Sequence, residues 1–241
     1  MKYFFFIIVF FSFPYSITSN DIYDSSWALL IGIDEYENMQ GLDYAVKDID
    51  SIHGLIMDQF KFPKENITIL KNDKATKSNI LKEFSNIAKN ANSNDRIFIF
   101  FAGHGDTKDL PGGGEIGFFI PVDGDQNDLY FSAIQMKELE TISLLSDAKH
   151  ILYLVDACYG GLASVGSRGL NPTGIPNYIE KVTKYKSRQI ISAGGRGERV
   201  IEKSDWGHSA FTKNLLSGLA DWMADSDSDG VITAQELGIY L

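Results

Sequence analysis

Two residues that could act together in covalent catalysis each follow an apolar run with the length of a buried strand. His104 comes after the run Ile97–Ala102, and Cys158 comes after the run Ile151–Val155. Parallel strands of an open α/β sheet end at one edge, which is where active sites form, so the imidazole and the thiol are expected to lie close together. A thiolate beside an imidazole is a nucleophile with a proton carrier.

Cys158 is the single cysteine of the 241 residues, and its position indicates catalysis rather than packing. The alternative is a buried core thiol, since free cysteine is among the most buried residue types. Here Gly160-Gly161 follow, where the backbone has to turn and expose the side chain. His104 would take the thiol proton or protonate the leaving amine, the alternative being a structural histidine at a strand end.

The residues around both positions resemble the caspase-like cysteine peptidases, in particular the metacaspases and the bacterial caspase homologues. The resemblance is carried by Phe101–Gly105 and Val155–Gly161, supported by Leu29–Ile33 and Gly207–Thr212, and it runs from about Trp27 to Leu241. It implies an α/β fold, the caspase-like three-layer sandwich, in which a mostly parallel sheet carries helices on both faces. It also implies cysteine endopeptidase activity.

The same resemblance gives expected roles to a glycine and two aspartates. The backbone N–H groups of Cys158 and Gly105 would form the oxyanion hole, which suits a glycine because its backbone can approach a substrate carbonyl closely. Asp156 and Asp48 match the metacaspase residues that line the primary specificity pocket and select Arg or Lys. Caspases that cut after Asp have Gln-Ala-Cys-Arg-Gly where this chain has Asp156 to Gly160, and this difference favours basic substrates.

Other interpretations of these residues stay open at this point. Asp156 could cap a loop, and Asp48 could be a solvated helix residue. Three further histidines, His53, His150 and His208, are expected to be structural, because they lie within a helical pattern, before a strand and at a helix start.

Residues 225–236 match the twelve-residue calcium loop of an EF-hand. Asp falls at positions 1, 3 and 5, Gly at position 6 and Glu at position 12. The alternative is an acidic turn, because EF-hands usually pair and the sequence has no second such loop. The peptidase chemistry itself requires no cofactor. The expected ligands of the calcium ion are Asp225, Asp227, Asp229, Val231 and Glu236.

The composition limits the partners and the domain count. Against 32 Asp and Glu there are 22 Lys and Arg, so the formal net charge is −10. An acidic chain has no basic footprint, which argues against nucleic acids and anionic membrane surfaces and suits protein or peptide substrates with basic residues. Residues 25–241, with the calcium loop near their end, are expected to form one peptidase domain.

The first 19 residues read as a secretory signal peptide. Lys2 is followed by the unbroken apolar run Tyr3–Phe11 and then by small and polar residues up to Asn20. The run is short for a helix that spans a bilayer, and an uncleaved anchor is the alternative. The protein is therefore expected to be secreted or periplasmic, with no membrane contact beyond this segment.

Strands and helices alternate along the rest of the chain, which predicts a parallel sheet between two helical layers. Residues 110–117 and 164–186 are expected to be loops. Strands are predicted at 27–33, 66–70, 97–102, 117–122, 151–156 and 189–193, and helices at 43–60, 76–89, 134–145 and 209–223.

The leading interpretation is a secreted cysteine endopeptidase that cuts after Arg or Lys through a dyad of His104 and Cys158. Alternatives are an enzyme with another primary specificity, an enzyme that transfers peptides, and an inactive caspase-like scaffold that binds calcium or protein partners. The presence of both dyad residues and of Gly105 argues against the scaffold.

Overall fold

Five parallel strands form the centre of the fold. The structure is a computed structural model, and it describes residues 19–157, 183–194 and 202–241. These strands are β1 (Ser26–Gly32), β2 (Ile67–Lys71), β3 (Arg96–Ala102), β7 (His150–Asp156) and β8 (Ser187–Ser192). Their order in the sheet is β2-β1-β3-β7-β8. The three central strands are apolar almost throughout because both of their faces are covered by other elements. The predicted α/β fold with a mostly parallel sheet is confirmed.

Helices cover both faces of this sheet. The longer ones are α2 (Ala45–Asp58), α3 (Lys77–Asn90), α5 (Lys137–Leu145) and α6 (Ala210–Ala220), and the shorter ones are α1 (Ser19–Ile22), α4 (Leu129–Ser132) and α7 (Ala234–Tyr240). Successive residues of a strand point to opposite faces. Accordingly, Ile31 packs in the core under α3 and α5, whereas Leu30 packs in the core under α2 and α6.

Two of the predicted helices begin at side chains that cap them. The Thr76 hydroxyl accepts the N–H of Asn79 at 3.2 Å and starts α3, which lies at Lys77–Asn90 where the sequence predicts a helix at 76–89. The Ser209 hydroxyl accepts the N–H of Thr212 at 2.9 Å and starts α6. Such caps satisfy N–H groups that the first helical turn leaves without a partner.

A small antiparallel sheet differs from the prediction. Its strands are β4 (Gly105–Asp109), β5 (Glu115–Phe119) and β6 (Ile134–Gln135), in the order β4-β5-β6. The predicted loop at 110–117 is shorter, because Gly113 and Gly114 adopt positive φ angles in a tight turn between β4 and β5. The predicted strand at 117–122 lies at Glu115–Phe119, and the predicted helix at 134–145 begins only at Lys137 because its first residues pair with β5.

The chain that precedes β1 is attached to the end of the sheet where the strands begin. The Lys149 ammonium donates to the Ile22 carbonyl at 3.0 Å, and the Tyr23 hydroxyl donates to Nδ1 of His150 at 2.6 Å. His150 is thus a structural residue, as predicted. The proposed signal segment lies outside the described residues except for Ser19. No helix in the described part of the chain is long and apolar enough to cross a membrane.

Candidate active site

His104 and Asp156 lie at the carboxyl ends of neighbouring parallel strands. Strands β3 and β7 pair with Ala102 opposite Asp156, and the N–H of Gly103 donates to the Asp156 carbonyl at 3.1 Å. His104 therefore leaves the sheet beside the chain that leads from Asp156 to Cys158. Cys158 itself lies outside the described residues, so the distance between the two dyad residues stays a prediction.

Two residues of the loop after β1 hold His104. Its backbone N–H donates to the Tyr36 hydroxyl at 2.7 Å, and the two rings are in contact with centroids 4.8 Å apart. Nε2 of His104 lies 2.9 Å from the Gln40 carbonyl. A carbonyl can only accept, so Nε2 carries the proton of the neutral ring and Nδ1 presents a lone pair. This is the tautomer that a general base needs at Nδ1.

The glycines on either side of His104 have different surroundings. A Cβ on Gly103 would come within 2.7 Å of the Tyr36 hydroxyl, so a side chain there would break the contact that holds His104. Gly105 is the first residue of β4 and pairs with Phe119. Its expected role in the oxyanion hole depends on a bound substrate and stays a prediction.

Asp156 is a buried carboxylate, 3% exposed, that accepts hydrogen bonds from described residues on one oxygen and on the other has none. Oδ2 accepts hydrogen bonds from the hydroxyls of Ser209 and Thr212, the latter at 2.8 Å. Oδ1 is buried and has no hydrogen-bond partner among the described residues. Burial raises the pKa of Asp156 to about 7, the two hydroxyls oppose that rise, and the carboxylates of Asp48 and Glu202 add to it.

Asp48 is equally buried, 1% exposed, but both of its oxygens are engaged. Oδ1 accepts from Nδ1 of His208 at 2.5 Å, and Oδ2 accepts from the backbone N–H of Ser209 at 3.3 Å. Burial raises the pKa of Asp48, and the hydrogen bond from His208 opposes that rise. The alternative interpretation of Asp48 as a solvated helix residue is therefore wrong.

Ser209 brings the two predicted pocket residues together. Its hydroxyl bonds to Asp156, and its backbone N–H bonds to Asp48. The chain arranges this at one point because Ser209 ends the short strand β10 (His208–Ser209), which pairs with β9 (Glu202–Lys203), and also begins α6. Two carboxylates from α2 and β7 thus meet at a single helix start.

Further carboxylates lie near this pair. The carboxylate of Asp34 accepts the N–H of Val46 at 3.3 Å, and that of Glu202 accepts the N–H of Asp43 at 3.4 Å. Burial raises the pKa of both carboxyls, and neighbouring carboxylates, Asp48 among them, add to the rise. Several carboxylates therefore lie close enough to repel one another, and this arrangement favours a cationic ligand.

The calcium-loop residues lie apart from this site, between α6 and α7. Ligand atoms of Asp225, Asp227 and Asp229 lie within 4.8 Å of one another. The carboxylate of Asp225 accepts the N–H groups of Asp229 at 3.2 Å and Gly230 at 3.0 Å, and Gly230 has a φ of +84°. Three of the five predicted ligands therefore face a common space.

The other two predicted ligands have different roles in the structure. The Glu236 carboxylate accepts from the Ser226 hydroxyl at 2.9 Å and from the Thr233 N–H at 2.9 Å, which joins the start of the loop to the start of α7. Val231 donates its N–H to Asp229 at 2.8 Å. Clustered carboxylates are hard oxygen donors of the kind that Ca²⁺ binds, so the residues present fit this ion.

Comparison with known proteins gives the family. The model of the caspase domain matches residues 25–232. This chain belongs to the caspase-domain peptidase family. The match extends over both strands that lead to the candidate dyad and over the helix start that holds the aspartates.

Individual relatives of this caspase-domain chain are metacaspases. It is 29% identical to metacaspase-1B of Neurospora crassa over 215 residues, which are 79% of this chain and 49% of that protein. It is 30% identical to metacaspase-1B of Aspergillus oryzae over 213 residues, 78% of this chain and 49% of that protein. It is also 30% identical to metacaspase-1 of Eremothecium gossypii over 148 residues, 56% of this chain and 32% of that protein. The chain thus spans from about a third to about half of the length of these relatives.

A solved structure supports the fold of this caspase-domain chain. Protein GSU0716 of Geobacter sulfurreducens superposes with a TM-score of 0.59 at 17% sequence identity, covering 83% of each chain. Similarity at this level of identity concerns the fold alone.

Several residues that shape the caspase-domain site carried no functional prediction. His208 was expected to be structural, yet it bonds to one of the two pocket aspartates. Ser209 and Thr212 have a recognisable local signal, a hydroxyl residue three positions before another at a helix start, but that signal predicts only the cap. The contacts of Tyr36 and Gln40 with His104 have no signal in the sequence, since they join residues 68 and 64 positions apart.

Proposed function

We propose that this chain is a cysteine endopeptidase that hydrolyses peptide bonds after Arg or Lys, with His104 and Cys158 as its catalytic dyad. The observation that carries this proposal is the buried pair of Asp156 and Asp48, which meet at Ser209 beside the strand end that leads to Cys158. A buried anion that lacks a full set of donors favours a cationic side chain, because each compensates the other's loss of hydration.

The dyad would act through Nδ1 of His104. Nδ1 accepts the thiol proton of Cys158, and the thiolate attacks the substrate carbonyl carbon, forming a C–S bond and an oxyanion. The N–H groups of Gly105 and Cys158 would stabilise that oxyanion. The imidazolium then gives its proton to the leaving amine as the C–N bond breaks. Water, deprotonated by the same imidazole, hydrolyses the thioester and restores the thiol.

The open oxygen of Asp156 supports the basic specificity within this proposal. A carboxyl with a pKa of about 7 is partly protonated in the free enzyme near neutral pH. An arriving guanidinium or ammonium group favours the ionised form, so binding of a basic side chain would release a proton below this pH. A neutral side chain in the same place would leave the buried oxygen without a partner.

A panel of fluorogenic peptides with Arg, Lys, Asp or citrulline before the scissile bond tests this function. Citrulline keeps the shape of Arg but has a carbonyl oxygen in place of one terminal nitrogen, so the ratio of the two turnover rates measures the contribution of the charged donor. We expect turnover of the Arg and Lys peptides, little turnover of the Asp peptide, and none with Cys158→Ala. Stronger cleavage after Asp than after Arg would contradict the specificity. A folded protein that cleaves none of the peptides would favour the caspase-like scaffold.

Calcium binding at Asp225, Asp227 and Asp229 is a second proposal, favoured by the convergence of their ligand atoms within 4.8 Å. Calcium would neutralise three carboxylates that otherwise repel one another and would fix the turn between α6 and α7. In this position the ion would support the fold at the end of α6, away from the helix start that holds Asp156, and it has no part in the reaction itself.

Export by residues 1–19 is a third proposal, which rests on their sequence pattern. We expect the mature protein to begin between Ser16 and Asn20 and to be found outside the cell or in the periplasm. Determination of the N-terminal sequence of the protein recovered from each cell fraction tests this. Recovery of the uncut chain in the membrane fraction would instead support an anchor.

A further inference from the structure

The two buried aspartates of the candidate site differ in what they can offer a ligand. Both oxygens of Asp48 hold a protein donor, Nδ1 of His208 at 2.5 Å and the N–H of Ser209 at 3.3 Å. Asp156 receives both of its donors on Oδ2, and its buried Oδ1 has no partner among the described residues. A charged ligand that enters the pocket therefore meets one carboxylate with an open oxygen and one that is already engaged.

We propose that His208 is a specificity-determining residue that makes this pair unequal, leaving Asp156 to bind the cation of the substrate while Asp48 is held as an internal partner. The inference rests on the proposed function, since it concerns the same pocket. It assigns His208 and Asp48 to positioning and Asp156 to direct contact with the basic side chain.

The geometry of His208 allows its imidazole to hold Asp48 by a hydrogen bond. A carboxylate can only accept a hydrogen bond, so Nδ1 carries its proton whether the ring is neutral or charged. The contact therefore persists in both states of the imidazole. His208 is fixed by its backbone as well, since it pairs with Lys203 in the ladder of β9 and β10. The backbone of His208 is thus held at the point from which its imidazole donates to Asp48.

Charged groups from several elements lie around the contact between His208 and Asp48. Asp156 approaches from β7 and Glu202 from β9, and both lie close enough to Asp48 for mutual repulsion. The Lys47 ammonium lies on the other side, where a Cβ on Gly207 would come within 2.5 Å of it. Without His208, the donors that remain to Asp48 within the part of the chain that the structure describes come from Ser209, and the oxygen that His208 engages would be available to a ligand.

The ratio of kcat/KM for an Arg peptide to that for its citrulline counterpart measures this division of roles. We expect Asp156→Asn to lower the ratio at least about tenfold, because it removes a charged hydrogen bond in a buried place. We expect Asp48→Asn to lower it by less than about threefold, because its partner is His208 rather than the substrate. An equal or larger loss in Asp48→Asn would overturn the proposal.

Removal of the imidazole gives the opposite expectation. His208→Ala opens an oxygen of Asp48 to the substrate, so the ratio should rise about threefold or more, and the rise should vanish in the double variant His208→Ala/Asp48→Asn. A merely structural role would lower both rates and leave the ratio unchanged. His53→Ala, which removes an imidazole from the same helix as Asp48, is the matched control and should leave the ratio as it is in the wild type.

The outcomes separate this inference from the function it rests on. A wild-type ratio near one, with turnover of both peptides, would refute the basic specificity. A high wild-type ratio with equal losses in the two Asp→Asn variants, or an unchanged ratio in a folded His208→Ala, would refute only the role of His208. Thermal unfolding of each variant identifies those that fold, and if His208→Ala does not fold, the comparison of the two Asp→Asn variants decides.

Discussion

The backbone N–H of Gly103 donates to the backbone carbonyl of Asp156 at 3.1 Å, one residue beyond the register pair that ends β3 and β7. This bond extends the ladder to the last residue before His104. It therefore fixes the start of the histidine segment against the segment that leads to Cys158. A dyad built on these two segments inherits its alignment from the central sheet.

The first prediction concerns this dyad. Cys158→Ala and His104→Ala should each lower kcat/KM for an Arg peptide by about a thousandfold or more, because the nucleophile or its proton carrier is lost. His53→Ala is the control for loss of a histidine elsewhere. Near-normal hydrolysis by a folded Cys158→Ala would exclude this residue as the nucleophile.

The second prediction concerns the residue that holds His104. Tyr36→Phe removes the acceptor of the part-buried His104 N–H, and loss of a hydrogen bond of this kind costs about 1 kcal/mol. We expect a lower melting temperature together with a lower kcat, since the histidine segment loses an anchor. Tyr130→Phe is the matched control, because the side chain of Tyr130 is 73% exposed. Equal behaviour of the two variants would show that the Tyr36 hydroxyl does not support the catalytic residue.

The third prediction concerns pH. Because the pKa of Asp156 is raised to about 7, the carboxyl is neutral below this pH and charged above it. The preference for an Arg peptide over a citrulline peptide should therefore fall as pH decreases through about 7. Taking the ratio of the two turnover rates cancels the titration of the dyad, because that titration affects the hydrolysis of both peptides. If the ratio of the Arg rate to the citrulline rate were the same at about pH 6 and about pH 8, the assignment of Asp156 as the group that binds the basic side chain would be contradicted.

The same carboxyl makes a prediction for the stability of the free enzyme. A carboxyl whose folded-state pKa is raised contributes stability that is complete below the pKa of the unfolded chain and is lost as pH rises through the folded value. Lowering the pH from about 8 toward 5 should therefore stabilise the wild type more than Asp156→Asn. The difference between the two melting curves isolates this residue, because Asp34, Asp48 and Glu202 also have raised pKa values and are present in both proteins.

The last prediction concerns calcium. Calcium should raise the melting temperature of the wild type, because a ligand that binds the folded chain stabilises it, and the shift should be much smaller in Asp227→Ala. Asp227 is the better choice for substitution, because the Asp225 carboxylate also bonds to the backbone of the loop. Asp221→Ala removes an exposed carboxylate just before the loop and serves as the control. Identical shifts in all three proteins would place the ion elsewhere.

The sequence predicts those parts of the site that follow from local pattern. The strands that carry His104 and Asp156 are continuous apolar runs, so their ends could be placed from the sequence alone. β4 was missed because its residues are polar, and a strand at the edge of a small sheet needs no buried run. The cap at Thr76 could be predicted because a capping hydroxyl lies only three positions before the N–H that it accepts, whereas Ser209 was predicted only as the start of a helix.

The contacts that bring the two aspartates of the candidate site together could not be predicted in this way. His208 and Asp48 are 160 positions apart, and Thr212 and Asp156 are 56 positions apart. Their meeting depends on how α2, α6 and β7 pack against one sheet, which no local spacing encodes. The resemblance to metacaspases predicts that Asp48 lines the specificity pocket, but it gives no indication that His208 is its hydrogen-bond partner.

The attachment of Ile22 and Tyr23 to Lys149 and His150 has a consequence for how the protein can be immobilised on a support. These contacts lie where the strands begin, and the candidate site lies where they end. A label, a resin or a lipid surface joined to the chain ahead of Ser19 would therefore meet the molecule on its far side. The candidate site would then lie on the side of the molecule away from the support, where large folded substrates could still reach it.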